Sequence, residues 1–351
     1  MTASTNSNPQ APETKLGHAS PFGDRTPPLG ASATDTALEA INAALAPIEE
    51  AWIEGFTMPR YPVTFVFGCP RSGHTLLSQV LAASGGFSYI TNFMARLWMA
   101  PYLGGLLERS LELHDGQDGG KASEFRSEYG RTFDWRGPHE AGNFIRRWLP
   151  FGETHRSHVH RLAPDRAASL LRELAAIEAL RERPVFIRNI VLGLNLAALE
   201  AAIPNAIFVV CERNPIYEAQ SILLARERAA GDRERWWSLR PPNVRDLVAL
   251  PYHDQIAAQV VITTRLIERD LAAVPSTRVV RVPYEASCHR PREVLASIAA
   301  TVRGAGGRID VDPDRVPATF PSRDVQTIPD ADFAELEAAI ARMSQQLEPV
   351  E

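Results

Sequence analysis

Cysteine is scarce in this chain: Cys69, Cys211 and Cys288 are the three in 351 residues. An odd number at wide spacing supplies neither a disulfide framework nor a paired metal-ligand motif. Cys69 and Cys211 lie beside apolar runs, so free buried thiols in a reducing, cytoplasmic compartment are expected. No run of about 18 apolar residues occurs, which excludes a helical membrane span. A basic excess is missing too. The formal net charge is -5, which argues against a general nucleic-acid binder. The N-terminus lacks the apolar stretch that a signal peptide needs. Residues 1–33, rich in Ser, Thr, Pro, Asn and Gly, read as a disordered tail, and residues 34–351 as one domain.

What is present is an ordinary globular composition, 45% hydrophobic and 23% charged. Residues 34–56 carry Leu38, Ile41, Leu45, Ile48 and Trp52 at helical spacing, with Thr34 or Asp35 placed to cap. Residues 63–67, Val-Thr-Phe-Val-Phe, read as a buried strand. A helix with Leu76, Leu77, Val80 and Leu81 on one face follows and ends at Gly85-Gly86. The same logic recurs: a strand over 184–187, an apolar helix over 192–203 and a strand over 206–211. Asn214-Pro215 then opens a helix with Asn as cap and Pro at its first position. A strand over 278–282 and a helix around 291–302 complete the series. Strands alternating with helices imply an α/β fold, a parallel sheet covered on both faces. The stretches 93–180 and 225–273 read as mainly helical elements closing over the sheet's carboxyl edge.

The segment 68–75, Gly-Cys-Pro-Arg-Ser-Gly-His-Thr, has the frame of a phosphate cradle: a strand, Gly-x-x-x-x-Gly, and Thr at a helix start. Glycines let backbone N–H groups close on an anion, and the helix N-terminus adds a positive dipole. A nucleoside-triphosphate loop would need Lys and then Ser or Thr. Here His74 stands at the Lys position, and Arg71 lies inside the loop. Glu212 is the one acidic candidate for a cation, and Arg213 adjoins it. The loop therefore suits an anion whose transfer needs no bound metal. Arg213, at the carboxyl end of a buried strand, and Ser221, two turns into the next helix, can hold a second phosphate.

Together the two segments resemble the sulfotransferases that use PAPS (3′-phosphoadenosine 5′-phosphosulfate), especially the bacterial branch near the tyrosylprotein and carbohydrate enzymes. The family's donor loop, Gly-x-Pro-Arg/Lys-Ser-Gly-Thr-Thr-Leu, is matched by Gly68 through Leu76, with His74 replacing a Thr. Its Arg-Asp-Pro motif and helical Ser are matched by Arg213-Asn214-Pro215 and Ser221. Residues 282–285, Val-Pro-Tyr-Glu, are similar to a late family segment and add Tyr284 to the donor residues. The resemblance implies a P-loop-like sheet with a helical cover. It implies that Gly68, Arg71, Ser72, Gly73, His74, Thr75 and Leu76 hold the 5′-phosphosulfate, and that Arg213 and Ser221 hold the 3′-phosphate. PAPS would be the co-substrate and PAP the product, with no metal required. The acceptor would be a hydroxyl or amine of a small molecule, carbohydrate or peptide.

Transfer needs a base for the acceptor proton and cations for the leaving oxygen. Arg71 and Arg188 are the expected cations. Arg188 ends strand 184–187, where tyrosylprotein sulfotransferases carry a Lys. In Gly137-Pro-His-Glu140, Glu140 is the first candidate for the base and His139 the second. His155, His158 and His160 are poorly spaced for a metal and read as a solvated or acceptor-facing segment. Trp236-Trp237 reads as lid packing. Two other readings stand beside sulfuryl transfer: a P-loop kinase or NTPase without its Lys, and a non-catalytic nucleotide binder.

Overall fold

The computed structural model describes residues 31–114, 125–128 and 130–346. Five parallel strands form one sheet: β1 (Thr64–Gly68), β2 (Ser88–Tyr89), β5 (Val185–Arg188), β6 (Ile207–Glu212) and β7 (Val279–Pro283), in the order β2-β5-β1-β6-β7. The central strands β1, β5 and β6 are short and mostly apolar, as burial on both faces requires, while the edge strand β7 exposes Arg281. Alternation within them divides the core. Phe65, Phe67, Ile187 and Phe208 face one layer with α4 (Gly142–Trp148), α5 (Pro164–Arg181) and α6 (Leu196–Ala202). Val66, Phe186, Val209 and Val282 face the other, with α2 (His74–Ala83) and α11 (Pro291–Gly304).

Around this sheet lie α1 (Ala31–Ile53), α3 (Pro101–His114), α7 (Pro215–Ala230), α8 (Val244–Leu247), α9 (Tyr252–Leu271), α10 (Tyr284–His289) and α12 (Asp330–Gln346). Helix α12 packs on α7 and α9 through Leu336, Ala339 and Met343. Among the described residues no helix is long and apolar enough to cross a membrane.

Several sequence expectations need correction. Helix α1 begins at Ala31, inside the segment read as a tail, while residues 1–30 lie outside the described residues. Its apolar positions do not share one buried face: Leu38 and Leu45 are half-buried, but Ile41, Ile48 and Trp52 are exposed. The helix expected over 192–203 is a 3₁₀ turn, Ile190–Leu194, followed by the short α6. Asn195 breaks it, because its side chain accepts from the Ser157 N–H (2.7 Å) and donates to the His155 carbonyl (2.9 Å). An Asn that spends its amide on a neighbouring loop is a poor helix interior residue. The stretch 93–180, read as mainly helical, holds α3, α4 and α5 and in addition an antiparallel hairpin of β3 (Ser127–Glu128) and β4 (Arg131–Thr132). Strand β2, two residues long at the sheet edge, has no sequence signal of its own.

Candidate active site

A parallel sheet delivers all its strand ends to one edge, so β1, β5, β6 and β7 bring Gly68, Arg188, Arg213 and Tyr284 together there. The loop from β1 to α2 turns through left-handed conformations at Arg71 (φ 74°) and Gly73 (φ 97°). A side chain at Gly68 would collide with the Cys211 carbonyl and with Ser72. One at Gly73 would stand 2.5 Å from the Tyr284 ring. Both glycines are therefore fixed by close approach as well as by backbone shape.

Within this turn Ser72 is fully buried, and its Oγ finds no partner among the described residues. The buried His74 likewise has an unpartnered Nδ1. Burial, with Arg188 and Arg71 nearby, holds the His74 imidazole well below its ordinary pKa, so it is neutral at pH 7. Buried polar atoms without partners are costly unless a ligand completes them. A sulfate or phosphate oxygen in the cradle would accept from Ser72 and from the loop N–H groups, so the residues present fit an oxyanion.

Arg188 connects this cradle to the candidate base. It is 1% exposed, paired across the sheet with Val66. Its Nη1 donates to Thr75 Oγ1 at 2.8 Å and lies 3.3 Å from Glu140 Oε1. Both Nη atoms also donate to the Gly130 carbonyl, at 3.2 and 3.1 Å. Glu140 has its carboxyl pKa raised by burial, with Arg188 and Arg71 opposing. His139 stands differently. Its Nδ1 accepts from the Ala141 N–H at 2.8 Å, and burial and then Arg188 hold it down at about 3.

Arg213 is more tightly bound than the sequence suggests. Its Nη1 donates to the Arg71 carbonyl at 2.9 Å, and its Nε donates to Asp324 Oδ1 at 2.7 Å. Its guanidinium lies 4.3 Å above the Tyr284 ring, a stacked arrangement that suits Arg. Ser221 Oγ accepts from Arg71 Nε at 2.8 Å, so the two anchors meet directly. Asn214 caps α7 by accepting from the Ile216 N–H, the task an Asp performs equally well.

A cleft of about 480 Å³ runs over this ground, lined by Arg71, Gly73, His74, Thr75, Leu76, Arg213, Ser221 and Tyr284. It also takes in Gln79, Phe125, Arg228 and Arg323, which sequence reasoning missed. Arg228 follows Ser221 by seven residues, two helical turns on one face, so that spacing was a usable signal. Arg323 comes from the segment after α11 and carried none.

Other candidates fall elsewhere. Glu212 pairs with Arg281 between β6 and β7, and among the described residues no three His, Cys, Asp or Glu side chains group as metal ligands would. His155 is neither solvated nor acceptor-facing: it is buried, and its Nδ1 accepts from the Arg240 N–H at 3.0 Å. His158 and His160 are exposed. Trp236 packs within the helical cover and donates its indole N–H to the Leu239 carbonyl at 3.0 Å. The three cysteines are free and buried.

No curated protein matches the chain. Among solved structures it is similar to sulfotransferase STF1 from Mycobacterium tuberculosis H37Rv, at 16% identity and TM-score 0.51, over 90% of this chain and 86% of that one. It also matches sulfotransferase STF9 from Mycobacterium avium, at 13% identity and TM-score 0.47, over 89% and 76%. The first likeness shows the fold. Residues 62–303 match the model of the sulfotransferase family, a span that holds the cradle, Glu140, Arg188, Arg213 and Ser221, and the chain belongs to that family.

Proposed function

We propose that this enzyme transfers a sulfuryl group from PAPS to a hydroxyl or amine of its acceptor, with Glu140 as the base. The observation that carries this reading is Arg188, which touches Thr75 of the cradle and Glu140 at once. The sulfuryl group of a donor seated at Gly68–Leu76 would lie beside that guanidinium.

In the step proposed, the acceptor oxygen or nitrogen attacks sulfur as its proton passes to a Glu140 Oε. The bond from sulfur to the bridging phosphate oxygen breaks, and PAP leaves. Arg71 and Arg188 stabilise the charge that collects on the leaving oxygen. Burial raises the Glu140 pKa and so strengthens it as a base, while the adjacent Arg188 and Arg71 oppose that rise. His139 is the weaker choice, because its Nδ1 is committed to the backbone and its pKa of about 3 leaves little basicity.

The 3′-phosphate is assigned to Ser221 and Arg213, in a cleft whose lining also includes Arg228 and Arg323. A donor that carries a second anionic group beside its phosphosulfate matches the two adjoining anchors, whereas ATP carries all its phosphates in one chain. Small molecules, carbohydrates and peptides remain the acceptor classes.

Calorimetry with PAP, AMP and ATP in EDTA tests the donor assignment. PAP is expected to bind at least tenfold more tightly than AMP, without metal. Equal affinity for the two, or ATP binding only with Mg²⁺, would overturn the assignment in favour of an NTPase. PAP binding with no sulfated product across an acceptor panel, unchanged by Glu140→Gln, would mark a non-catalytic binder.

A further inference from the structure

Helix α1 is attached to the rest of the molecule in an unusual way. Its inward edge carries two polar side chains at the most buried positions, Asn42 and Glu49, each 1% exposed. Asn42 donates to the Arg96 carbonyl and accepts from the Met99 N–H, at 2.9 and 2.8 Å. Glu49 accepts from the N–H groups of Tyr102 and Leu103, at 2.8 and 2.9 Å, and so caps the start of α3. Polar capping, helped by Ile53, docks the helix and leaves its outward stripe uncovered.

That outward stripe is apolar. Ile41, Ala44, Ile48 and Trp52 follow one another at spacings of three and four, the repeat by which two helices interlock. Ile41 is 47%, Ile48 46% and Trp52 59% exposed. The adjacent α3 exposes Leu107 and Leu111, one turn apart. Large apolar side chains exposed along one helix face, with a second exposed pair on a neighbouring helix, mark a contact surface.

We propose that α1 is the seam of a homodimer, in which two copies cross their α1 helices antiparallel about a two-fold axis passing near Ile48. The sequence selects both the occupant and the register. Helix α1 carries Asp35, Glu39, Glu49 and Glu50, with Glu54 directly after it, and no Lys or Arg. An anionic membrane surface favours a basic polar face instead. The preceding residues 1–30 hold only Met1, Leu16, Phe22 and Leu29 as large apolar side chains, too few to match the stripe.

With the axis at Ile48, that residue meets its own copy, and Trp52 of one helix lies over the small Ala44 of the other. Ile41 then falls beside Gly55, around which there is open space. Glu39, Glu50 and Glu54 fall opposite Thr57, Ala46 and Asn42, so no carboxylate opposes another. An axis between Ala46 and Pro47 would set Glu39 against Glu54. A two-fold contact must be complementary to itself, and the Ile48 register satisfies that requirement.

Sedimentation of the full chain and of Ile48→Glu tests the proposal. The wild type is expected to be a concentration-dependent dimer. Ile48→Glu is expected to weaken self-association at least about tenfold, with unchanged circular dichroism and PAP affinity. In parallel, Ile48→Cys should give a disulfide-linked dimer under mild oxidation, whereas Glu39→Cys should not. The three native thiols are buried and should leave that background low. A wild type that stays monomeric, an Ile48→Glu variant that still dimerises, or an Ile48→Cys variant that does not cross-link would each overturn the proposal. So would monomers that sediment with phosphatidylserine vesicles through this face, which would make it a membrane surface.

Discussion

At the scale of single residues, Glu140 and His139 are neighbours whose environments push their chemistry apart. Burial raises the carboxyl of one and depresses the imidazole of the other to about 3. Glu140→Gln is therefore expected to lower kcat by about 10²–10⁴-fold while PAP affinity holds, the range for losing a positioned base. His139→Gln should cost only a few-fold, which steady-state kinetics of the two variants checks. The base must be ionised, so activity should fall as pH drops, along a limb set above the ordinary Glu range. Glu140→Gln should abolish that limb. Arg213→Ala is expected to weaken PAP binding more than it lowers kcat, and Arg71→Ala to lower both; calorimetry beside kinetics separates them. The shape of the cradle was legible in the sequence because Gly68, Arg71, Ser72 and Gly73 form a local turn. The surroundings of Glu140 and His139 were not, since only folding brings Arg188 to the one and the Ala141 N–H to the other.

Among the elements, those with local instructions were legible: β1, β6, α2 and α7 carry their own apolar runs, glycines and cap. The β3–β4 hairpin and the segment 320–327 were not, because their order comes from distant partners. Gly130 shows the dependence. It has φ 89°, its carbonyl accepts from both Nη atoms of Arg188, and an added Cβ would stand 2.9 Å from Glu140 Oε1. Gly130→Ala is expected to cost about 1–3 kcal/mol, the strain of a left-handed non-glycine residue, and to lower kcat more than donor affinity. Thermal melts and kinetics of this variant test the point; a drop in PAP affinity equal to that in kcat would place the hairpin's role at the donor instead. Asp324 belongs to the same class. It arrives from beyond α11 to hold Arg213 at 2.7 Å, and nothing in its local sequence announces that contact.

For the whole molecule, the alternation of strands and helices foretold a parallel sheet, and with it the edge where the site had to lie. It did not foretell which charges the fold would bury beneath that edge. Glu218 is the clearest: 2% exposed on the inner side of α7, it faces the Cys69 thiol, and burial raises its carboxyl to about 8. In the unfolded chain the same group titrates near 4.5. Between these values the folded protein binds the proton and the unfolded chain does not, so folding stability falls as pH rises. The contribution is complete below about pH 4.5 and is lost progressively as pH climbs through 8. Glu218→Gln keeps the shape and the neutral hydrogen-bonding capacity but removes the titration. It is therefore expected to match the wild type in melting temperature near pH 5 and to exceed it near pH 8.5. Parallel melting curves of the two proteins that decline together across this window would show that Glu218 is not the group responsible. The position of Glu218 beneath the cradle also ties stability to function. An ionised Glu218 would place a negative charge beside Cys69, directly under the loop proposed to receive an oxyanion, so PAP affinity in the wild type should weaken above pH 8 and be spared in Glu218→Gln.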